Sequence, residues 1–477
     1  MNYDKLHDRI EHLINYESDD FFLNINLKED VSNKLLDYQH LHVFNLITAL
    51  RDNQCIVDTS NTGCGKTYTS IAICKQLNLR PFIICPKTLI ATWKYVCTYF
   101  DINPLGIVNY ETIKTGKYYN QQDDRVDCPF IEVNENGEIK WKLPYYAIII
   151  FDEVHKCKNT KSQNGKLLLS TKPLNINNNN RFNNKNKNNQ NGFKVLMLSA
   201  TLSDTPASFH IFGYMLGFYN NLKQGNNWIK GMLNDDVTYI GISQKLSAIN
   251  KQIYPKKGSR MRIADLGDKF PHNQVSAESY TIEKNQIEIV NKAFNDITQL
   301  SRNDPTDFIL TEILKARQKL EKIKLPIIEE LITDYIENGY NVVVFLNFVD
   351  NISELAKTFN TKCIIFGNQT LERRNENIRA FQANEQNIII CNIEMAEGIS
   401  LHDLHGRPRV SLISPNFIAR TLQQALGRIH RAGALTPALQ RLIYCAGTCE
   451  ETICNRLKGK LKFLSKLNDN DLTDLGN

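Results

Sequence analysis

Apolar residues are concentrated in short runs in two separate parts of the chain, and the run at 147–151 has no polar interruption. In the first part the runs occupy residues 55–57, 81–85, 105–113, 147–151 and 194–198. In the second part they occupy residues 341–349, 387–391 and 410–414. A run without polar interruptions predicts a strand that is buried on both faces, as in a parallel sheet covered by helices.

Helical spacing of apolar residues separates these predicted strands, for example at 35–50, 68–77, 371–382 and 417–429. Strands that alternate with helices in this way predict an α/β fold with two mostly parallel sheets. We therefore predict an N-terminal extension (1–34), a first α/β domain (35–215), a helical or irregular insertion and linker (216–335), and a second α/β domain with a C-terminal helix (336–477).

Two stretches interrupt this pattern. Residues 174–192 are an asparagine-rich tract without apolar periodicity, which predicts a disordered surface insert within the first domain. Residues 254–263 are basic, and they are typical of a solvated turn or of a contact with a phosphate backbone.

Composition narrows the class of protein only moderately. The chain of 477 residues is 42% hydrophobic and 23% charged, as in a globular protein, and its net charge of +6 permits nucleic-acid binding without requiring it. No apolar run approaches the roughly 18 residues of a membrane span, and the N-terminus lacks a signal-peptide core. We expect no membrane partner and an intracellular location, cytoplasmic or nuclear.

The most informative stretch is residues 55–67, which read CIVDTSNTGCGKT. An apolar strand leads into a glycine-rich turn, and a helical pattern follows, which is the context of a phosphate-binding loop. Gly63 and Gly65 allow close backbone approach to a polyphosphate, Lys66 would reach the β- and γ-phosphates, and Thr67 would hold Mg²⁺. The strict motif has glycine where Ser60 stands. A glycine turn without a ligand is the alternative.

Two residues upstream have open roles. Core packing explains Tyr38, whereas Gln39 could either pack in the core or contact an adenine edge.

Polar residues follow two of the predicted strands in the first domain. Asp152 ends a fully apolar strand, where a Mg²⁺ ligand is expected, and Glu153 could orient and activate the attacking water. Ser199 and Thr201 end the next strand, where their hydroxyls could join these carboxylates to a moving element. A solvent-facing acidic turn is the alternative for the carboxylates.

The second domain has no phosphate loop, but it carries QQALGRIHRAG at 423–433. Arg428 and Arg431 are three residues apart, so on a helix they would share one face. Guanidinium groups stabilise the transition-state charge of phosphoryl transfer, and they are worth about 10³ to 10⁵ in rate. An ordinary basic helix face is the alternative.

Seven blocks in this order resemble the superfamily 2 helicases and translocases of the DExH type. The blocks are YQ at 38–39, TGCGKT at 62–67, PKTL at 86–89, DEVH at 152–155, SAT at 199–201, EGISL at 397–401 and QALGRIHRAG at 424–433. The chain is most similar to the Swi2/Snf2-like group, through its NVVVFLNF, ERRNENIRAFQ and GTCEETI segments. Its size and asparagine tract also resemble the transcription helicases of large cytoplasmic DNA viruses.

This resemblance implies two RecA-like domains with ATP and Mg²⁺ between them, and movement along DNA or RNA. It implies nucleotide contacts from Gln39, Thr62, Gly63, Cys64, Gly65, Lys66 and Thr67, Mg²⁺ ligands Thr67 and Asp152, and catalytic residues Lys66, Asp152, Glu153, Arg428 and Arg431. Coupling or nucleic-acid contacts are implied for Pro86, Lys87, Thr88, His155, Ser199, Thr201, Glu397, Gly398, Ser400 and Gln424.

The resemblance leaves several points open. Glu397 stands where many Swi2/Snf2-like proteins have a small residue, which weakens that subgroup assignment more than the ATPase assignment. Transcription machinery is an expected partner, and packaging in the virion is a further option for a viral protein. A nucleic-acid scaffold locked by ATP, and an ATPase that acts on a protein partner, are the alternative functions.

Overall fold

The computed structural model describes two parallel α/β sheets, each with helices on both faces. The described residues are 27–134, 138–172, 193–200, 202–203, 207–231, 242–266, 272–282, 284–285, 287–288, 291, 307–416, 418–448, 450–451 and 454. The predicted asparagine-rich insert, Thr201, the predicted C-terminal helix and most of the predicted N-terminal extension lie outside these residues.

The first sheet has the strand order β10-β1-β9-β8-β2-β3, and all of its pairs are parallel. Its strands are β1 (Cys55–Asp58), β2 (Arg80–Cys85), β3 (Gly106–Asn109), β8 (Ala147–Asp152), β9 (Lys194–Leu198) and β10 (Gly258–Ser259). Its helices are α1 (Glu29–Ser32), α2 (Asp37–Asp52), α3 (Lys66–Leu77), α4 (Ile90–Tyr99), α5 (Tyr110–Ile113), α6 (Gln163–Leu169), α7 (His210–Met215), α8 (Gly225–Gly231), α9 (Ile242–Ile253) and α10 (Ile263–Leu266).

Alternate residues of the central strands enter two separate cores, which explains the uninterrupted apolar runs. Ile149 and Phe151 of β8 belong to the core on one face, and Ile148 and Ile150 belong to the core on the other face. All four are fully buried. Burial of each such side chain contributes about 1.5–3 kcal/mol to folding.

The second sheet has the order β11-β16-β15-β12-β14-β13 and is also parallel throughout. Its strands are β11 (Asn273–Tyr280), β12 (Asn341–Leu346), β13 (Ile364–Ile365), β14 (Ile388–Asn392), β15 (Arg409–Ile413) and β16 (Ala438–Cys445). Its helices are α11 (Asp307–Ile323), α12 (Leu325–Glu337), α13 (Val349–Thr358), α14 (Leu371–Gln382) and α15 (Ala419–Leu426).

The stretch 216–335, predicted as an insertion and linker, contributes a strand to each sheet. β10 pairs with β1 at one edge of the first sheet, and β11 pairs with β16 at one edge of the second. Residues 254–257 form the predicted turn, with Pro255 and Lys256 exposed, but Gly258 and Ser259 are buried as β10, so the basic stretch 254–263 is only in part a solvated turn. We propose on this basis that the boundary between the two domains along the chain lies between Leu266 and Asn273.

Residues 117–141, which have no apolar periodicity, form two small antiparallel hairpins beside the first sheet. These are β4 (Lys117–Tyr119) with β5 (Arg125–Asp127), and β6 (Ile131–Val133) with β7 (Ile139–Trp141). Phe82 of β2 makes edge-to-face contacts with Phe130 and Trp141, which pack the hairpin of β6 and β7 against β2. Within the described residues, no helix is both long and apolar enough to cross a bilayer.

Candidate active site

The glycine-rich loop lies where β1 ends, beside the ends of β9 and β8. Asp58 pairs with Leu198, and Leu198 pairs with Asp152, so these strands end at the same level. Gly63 and Gly65 have φ values of 91° and 89°, a conformation that favours glycine. Helix α3 begins immediately afterwards at Lys66, with Thr67 as its second residue. The loop therefore presents its backbone and a helix N-terminus at one edge of the sheet.

Gln39 anchors this loop from α2. Its Nε2 donates to Cys64 O at 2.9 Å, and its Oε1 accepts from the backbone N–H of Leu36 at 3.0 Å. A Cβ on Gly65 would collide with the Gln39 amide nitrogen. Tyr38 packs with Met261 and Cys64, as core packing predicts. The structure thus gives Gln39 two hydrogen bonds inside the protein, in addition to any that it makes with a base.

Ser60, the departure from the strict motif, belongs to a buried polar network. Its Oγ donates to Asp58 Oδ1 at 2.6 Å and accepts from the backbone N–H of Met261 at 3.0 Å. His42 bridges Asp58 Oδ2 and Ser259 Oγ at 3.0 and 2.9 Å. Ser60 does not have a positive φ, so its position does not require glycine. The hydroxyl instead ties the loop to β1 and to Met261, two residues beyond β10.

The Lys66 side chain folds back over the loop. Its Nζ donates to Ser60 O at 2.7 Å and to Asn61 O at 3.2 Å. Its positive charge opposes the rise in the pKa of Asp152 that burial causes, and it adds to the lowering of the pKa of Glu153 by His155, so it faces the carboxylate pair.

The carboxylates at the end of β8 are held in different environments. Asp152 Oδ2 accepts from Trp93 Nε1 at 2.9 Å, and Oδ1 accepts from the backbone N–H of Glu153 at 3.0 Å. Burial and the neighbouring Glu153 carboxylate raise the pKa of Asp152. Burial opposes ionisation of Glu153 as well, but the hydrogen bond and charge of His155 outweigh it and lower the pKa of Glu153. Glu153 is therefore the carboxylate that this environment keeps ionised.

His155 joins this pair to the end of β9. Its Nδ1 lies 3.1 Å from Glu153 Oε2 and 3.1 Å from Ser199 Oγ. The predicted proximity of the DEVH and SAT blocks is therefore present in the structure.

The two arginines lie beyond α15, and the prediction that they share a helix face is wrong. The helix ends at Leu426 with Gly427 as its cap, and a side chain at 427 is excluded because Thr62 lies 2.5 Å from the position that a Cβ would take. Arg428 and Arg431 follow in a turn. Each donates to Ile399 O, at 3.0 and 2.9 Å, so they still converge on one point.

This turn lies directly on the glycine-rich loop of the first domain. A Cβ on Gly63 would lie 3.0 Å from Arg431 Cγ and 3.1 Å from His430 O. Burial lowers the pKa values of Arg428 and Arg431, and the charge of Glu153 opposes that shift in both. The arginines of one domain and the acidic pair of the other therefore face the same space.

A second contact between the domains joins the PKTL and EGISL blocks. Pro86 precedes the turn Lys87–Leu89, and a Cβ on Gly398 would lie 2.7 Å from Thr88 Oγ1. Lys156 Nζ lies 2.9 Å from Glu397 Oε2. Ser400 Oγ bonds His402 Nδ1 at 2.8 Å, and the Gln424 carbonyl accepts from Arg428 Nε at 2.6 Å. Trp93, Lys156 and the His42–Asp58 pair were not anticipated, because their types and spacing fit ordinary core or surface positions.

The residues present fit a nucleoside triphosphate with a divalent cation. Gly63 and Gly65 give the loop a backbone conformation with positive φ, the Lys66 ammonium group lies against two loop carbonyls, and a carboxylate stands at the end of β8, the next strand but one in the sheet. Asp152 and Thr67 supply the hard oxygen atoms that Mg²⁺ prefers.

Comparisons with known proteins agree with this geometry. The model of the type III restriction enzyme res subunit matches residues 32–204, and the model of the helicase conserved C-terminal domain matches residues 323–433. A protein of Acanthamoeba polyphaga mimivirus, named as a candidate ATP-dependent RNA helicase, is 36% identical over 480 residues, covering 94% of this chain and 87% of that protein. The chain belongs to the superfamily 2 helicases.

More distant superfamily 2 relatives include Swi2/Snf2-like proteins. A Drosophila melanogaster SWI/SNF-related regulator of chromatin, subfamily A-like protein 1, is 21% identical over 427 residues, and the match spans 85% of this chain and 52% of that protein. The Sulfolobus solfataricus SWI2/SNF2 ATPase core in complex with dsDNA is 15% identical with a TM-score of 0.37, covering 94% of this chain and 96% of that one. The predicted family is confirmed. As a superfamily 2 helicase, the protein is an ATP-hydrolysing helicase or translocase of nucleic acid.

Proposed function

We propose that ATP binds between the two domains and that closure of this cleft drives movement along a nucleic-acid strand. The observation that carries the proposal is the contact of the Arg428–Arg431 turn with the loop at Gly63. It supports a site built from both domains, in which the first supplies the phosphate cradle and the second supplies cations.

In the first domain, Lys66 would exchange its two loop carbonyl acceptors for phosphate oxygens. Thr67 and Asp152 would hold Mg²⁺, which neutralises phosphate charge when it is bound. Glu153 is the carboxylate kept ionised by His155, so it can accept a hydrogen bond from the attacking water and orient it. Glu153 would act in the ionised state that its surroundings favour, and the positive charge of bound Mg²⁺ would offset the rise in the pKa of Asp152.

In the second domain, Arg428 and Arg431 would exchange a backbone acceptor for the γ-phosphate. Both now donate to Ile399 O, which lies within the EGISL block. Transfer of the guanidinium groups to phosphate removes two hydrogen bonds from this block. Hydrolysis reverses the transfer, and the state of the nucleotide is thereby linked to the position of residues 397–401.

The proposed contacts with the nucleic-acid backbone are Pro86, Lys87, Thr88, Glu397, Gly398, Ser400 and Gln424. The first three follow the carboxyl end of β2, and Glu397, Gly398 and Ser400 follow β14, where open α/β sheets bind their ligands. The printed name of the mimivirus relative favours RNA as a track, and DNA is the alternative. Transcription machinery as a partner belongs to the same proposal, as does an intracellular location, cytoplasmic or nuclear, with packaging in the virion as the option for a viral protein.

Arg431→Ala tests the two-domain site. We expect turnover to fall by about 10³-fold or more while ATP affinity changes little, because the guanidinium acts mainly on transition-state charge. Arg379→Ala is the matched control, since Arg379 is an exposed residue of the second domain paired with Glu385. Normal turnover in Arg431→Ala, or equal losses in both variants, would contradict the assigned role.

A further inference from the structure

Trp93 is a fully buried tryptophan whose polar atom points at the proposed Mg²⁺ carboxylate. It lies on the inner face of α4 with Val96 and Cys97, and its ring belongs to one core of the first sheet. The indole nitrogen donates to Asp152 Oδ2 at 2.9 Å. An indole N–H is a donor only, so this bond requires Asp152 Oδ2 as an acceptor.

The remaining contacts of Asp152 complete a fixed arrangement. Oδ1 accepts from the backbone N–H of Glu153, and the Asp152 carbonyl accepts from Tyr110 Oη at 2.7 Å. Glu153 itself has φ 53°, so the chain turns sharply here. With one donor on each carboxylate oxygen, the plane of the carboxylate is set by the backbone on one side and by the indole on the other.

We infer that Trp93 is a positioning residue that orients Asp152 for the metal ion bound with ATP. Without the indole donor, the Asp152 carboxylate could adopt an additional rotamer. Its free lone pairs would then be directed at the cation for a smaller fraction of the time. Donors that orient a metal ligand typically change metal affinity by about 10- to 100-fold when they are removed. The inference rests on the Mg²⁺ role proposed above for Asp152.

The position of Trp93 also links the carboxylate to a contact between the domains. Helix α4 begins at Ile90, directly after the turn Lys87–Leu89 that meets Gly398. Displacement of that turn along the helix axis changes the distance between the indole nitrogen and Asp152 Oδ2. The indole therefore lies on the helix that connects the PKTL block to the proposed metal site.

Trp93→Phe removes the donor and keeps an aromatic ring in the core. Trp141→Phe is the matched control, because Trp141 is also buried in the first domain and donates its indole N–H to Ser170 Oγ at 2.9 Å. The measurement is the dissociation constant of a fluorescent ADP analogue, in Mg²⁺ and in EDTA, for the wild type and both variants.

We expect Mg²⁺ to tighten binding of the analogue to the wild type and to Trp141→Phe. In Trp93→Phe this tightening should be about 10- to 100-fold smaller, while affinity in EDTA is unchanged. Equal weakening in Mg²⁺ and EDTA would indicate a merely structural role, and unchanged Mg²⁺ tightening would overturn the inference. If Mg²⁺ does not tighten binding to the wild type, the proposed metal site itself fails.

A measurement on the unaltered fold covers the case in which Trp93→Phe does not fold. The wild type labelled with 5-fluorotryptophan has three indoles, and Trp141→Phe and Trp228→Phe assign two of the fluorine resonances. Adding Mg²⁺ to the ADP complex should shift the Trp93 resonance and leave the other two in place. A Trp93 resonance that does not respond to Mg²⁺ would overturn the inference.

Discussion

A buried ion pair in the second domain allows a quantitative test of the fold. Lys324 lies between α11 and α12 with its side chain fully buried, and its Nζ donates to Glu450 Oε1 at 2.6 Å, Ser414 Oγ at 2.9 Å and Ile443 O at 3.2 Å. Glu450 Oε2 accepts from the backbone N–H of Cys445 at 3.0 Å. The pair therefore holds the GTCEETI segment against the ends of β15 and β16.

Glu450→Gln leaves the Lys324 ammonium buried without a counter-charge. Removing one partner of a buried pair costs about 3–5 kcal/mol, whereas replacing both charges is often close to neutral. We expect Glu450→Gln and Lys324→Met each to destabilise the second domain by about that amount. The double variant should recover most of the loss, since neither charge remains.

Hydrogen exchange of the amides in β14 and β15 measures this change. A loss of 3–5 kcal/mol corresponds to exchange about 10²- to 10⁴-fold faster through global opening of the domain. All three tryptophans lie in the first domain, so tryptophan fluorescence reports whether that domain stays intact.

Lys322→Met with Glu354→Gln is the matched control. Lys322 also lies on α11, but this ion pair is exposed, with 60% and 47% of the two side chains accessible. Exposed pairs contribute about 0–1 kcal/mol, so exchange should change by less than about 10-fold. The reasoning would be refuted if neither single substitution in the buried pair changed the exchange rates. It would also be refuted if the double variant were as unstable as the less stable single variant.

Three further predictions concern the first domain and the contact between domains. Glu153→Gln should still bind ATP and lose hydrolysis, because the amide cannot act as the ionised carboxylate that His155 maintains; normal turnover would remove Glu153 from its role. Lys156→Glu and Glu397→Lys should each open the interdomain contact, measured as a longer distance between fluorophores on the two domains. The double exchange should restore the wild-type distance, and additive effects of the two substitutions would refute the pairing. Burial disfavours the ionised carboxylate of Asp58, but the charge and hydrogen bond of His42 lower the pKa of Asp58 to about 2. The ionised carboxylate therefore stabilises the fold above pH ~4, and this contribution is lost as the pH falls through ~2. The free energy of unfolding of Asp58→Asn should therefore fall less steeply between pH ~4 and pH ~2 than that of the wild type. If the two proteins differ by the same free energy at every pH in this range, the assignment is contradicted.

Much of the fold could be predicted from the sequence, because the central strands are apolar at most positions. Residues 371–382 were predicted as a helix and form α14 with those bounds. The phosphate loop, the acidic pair and the Ser199 block follow strands that are neighbours in one parallel sheet, so their meeting follows from strand order. The family resemblance rested on these same blocks, and it is confirmed.

Features that depend on distant partners could not be predicted. The stretch 254–263 has the composition of a turn, yet two of its residues complete the edge of the first sheet beside β1, and nothing local indicates that pairing. The turn after α15 was predicted as helix, and the contact of Gly427 with Thr62 of the other domain cannot be read from the local sequence. Trp93 looked like an ordinary core residue because its partner, Asp152, lies 59 positions away.

The most direct test of the whole account is ATP hydrolysis by the purified protein at one fixed salt concentration, first alone and then with single-stranded DNA, duplex DNA, single-stranded RNA and duplex RNA. The account predicts that at least one of these nucleic acids stimulates hydrolysis, and the one that does so identifies the track. Hydrolysis that is indifferent to all four would point to a protein partner, and no hydrolysis would point to a nucleotide-locked scaffold. Either result would contradict a motor that moves along nucleic acid.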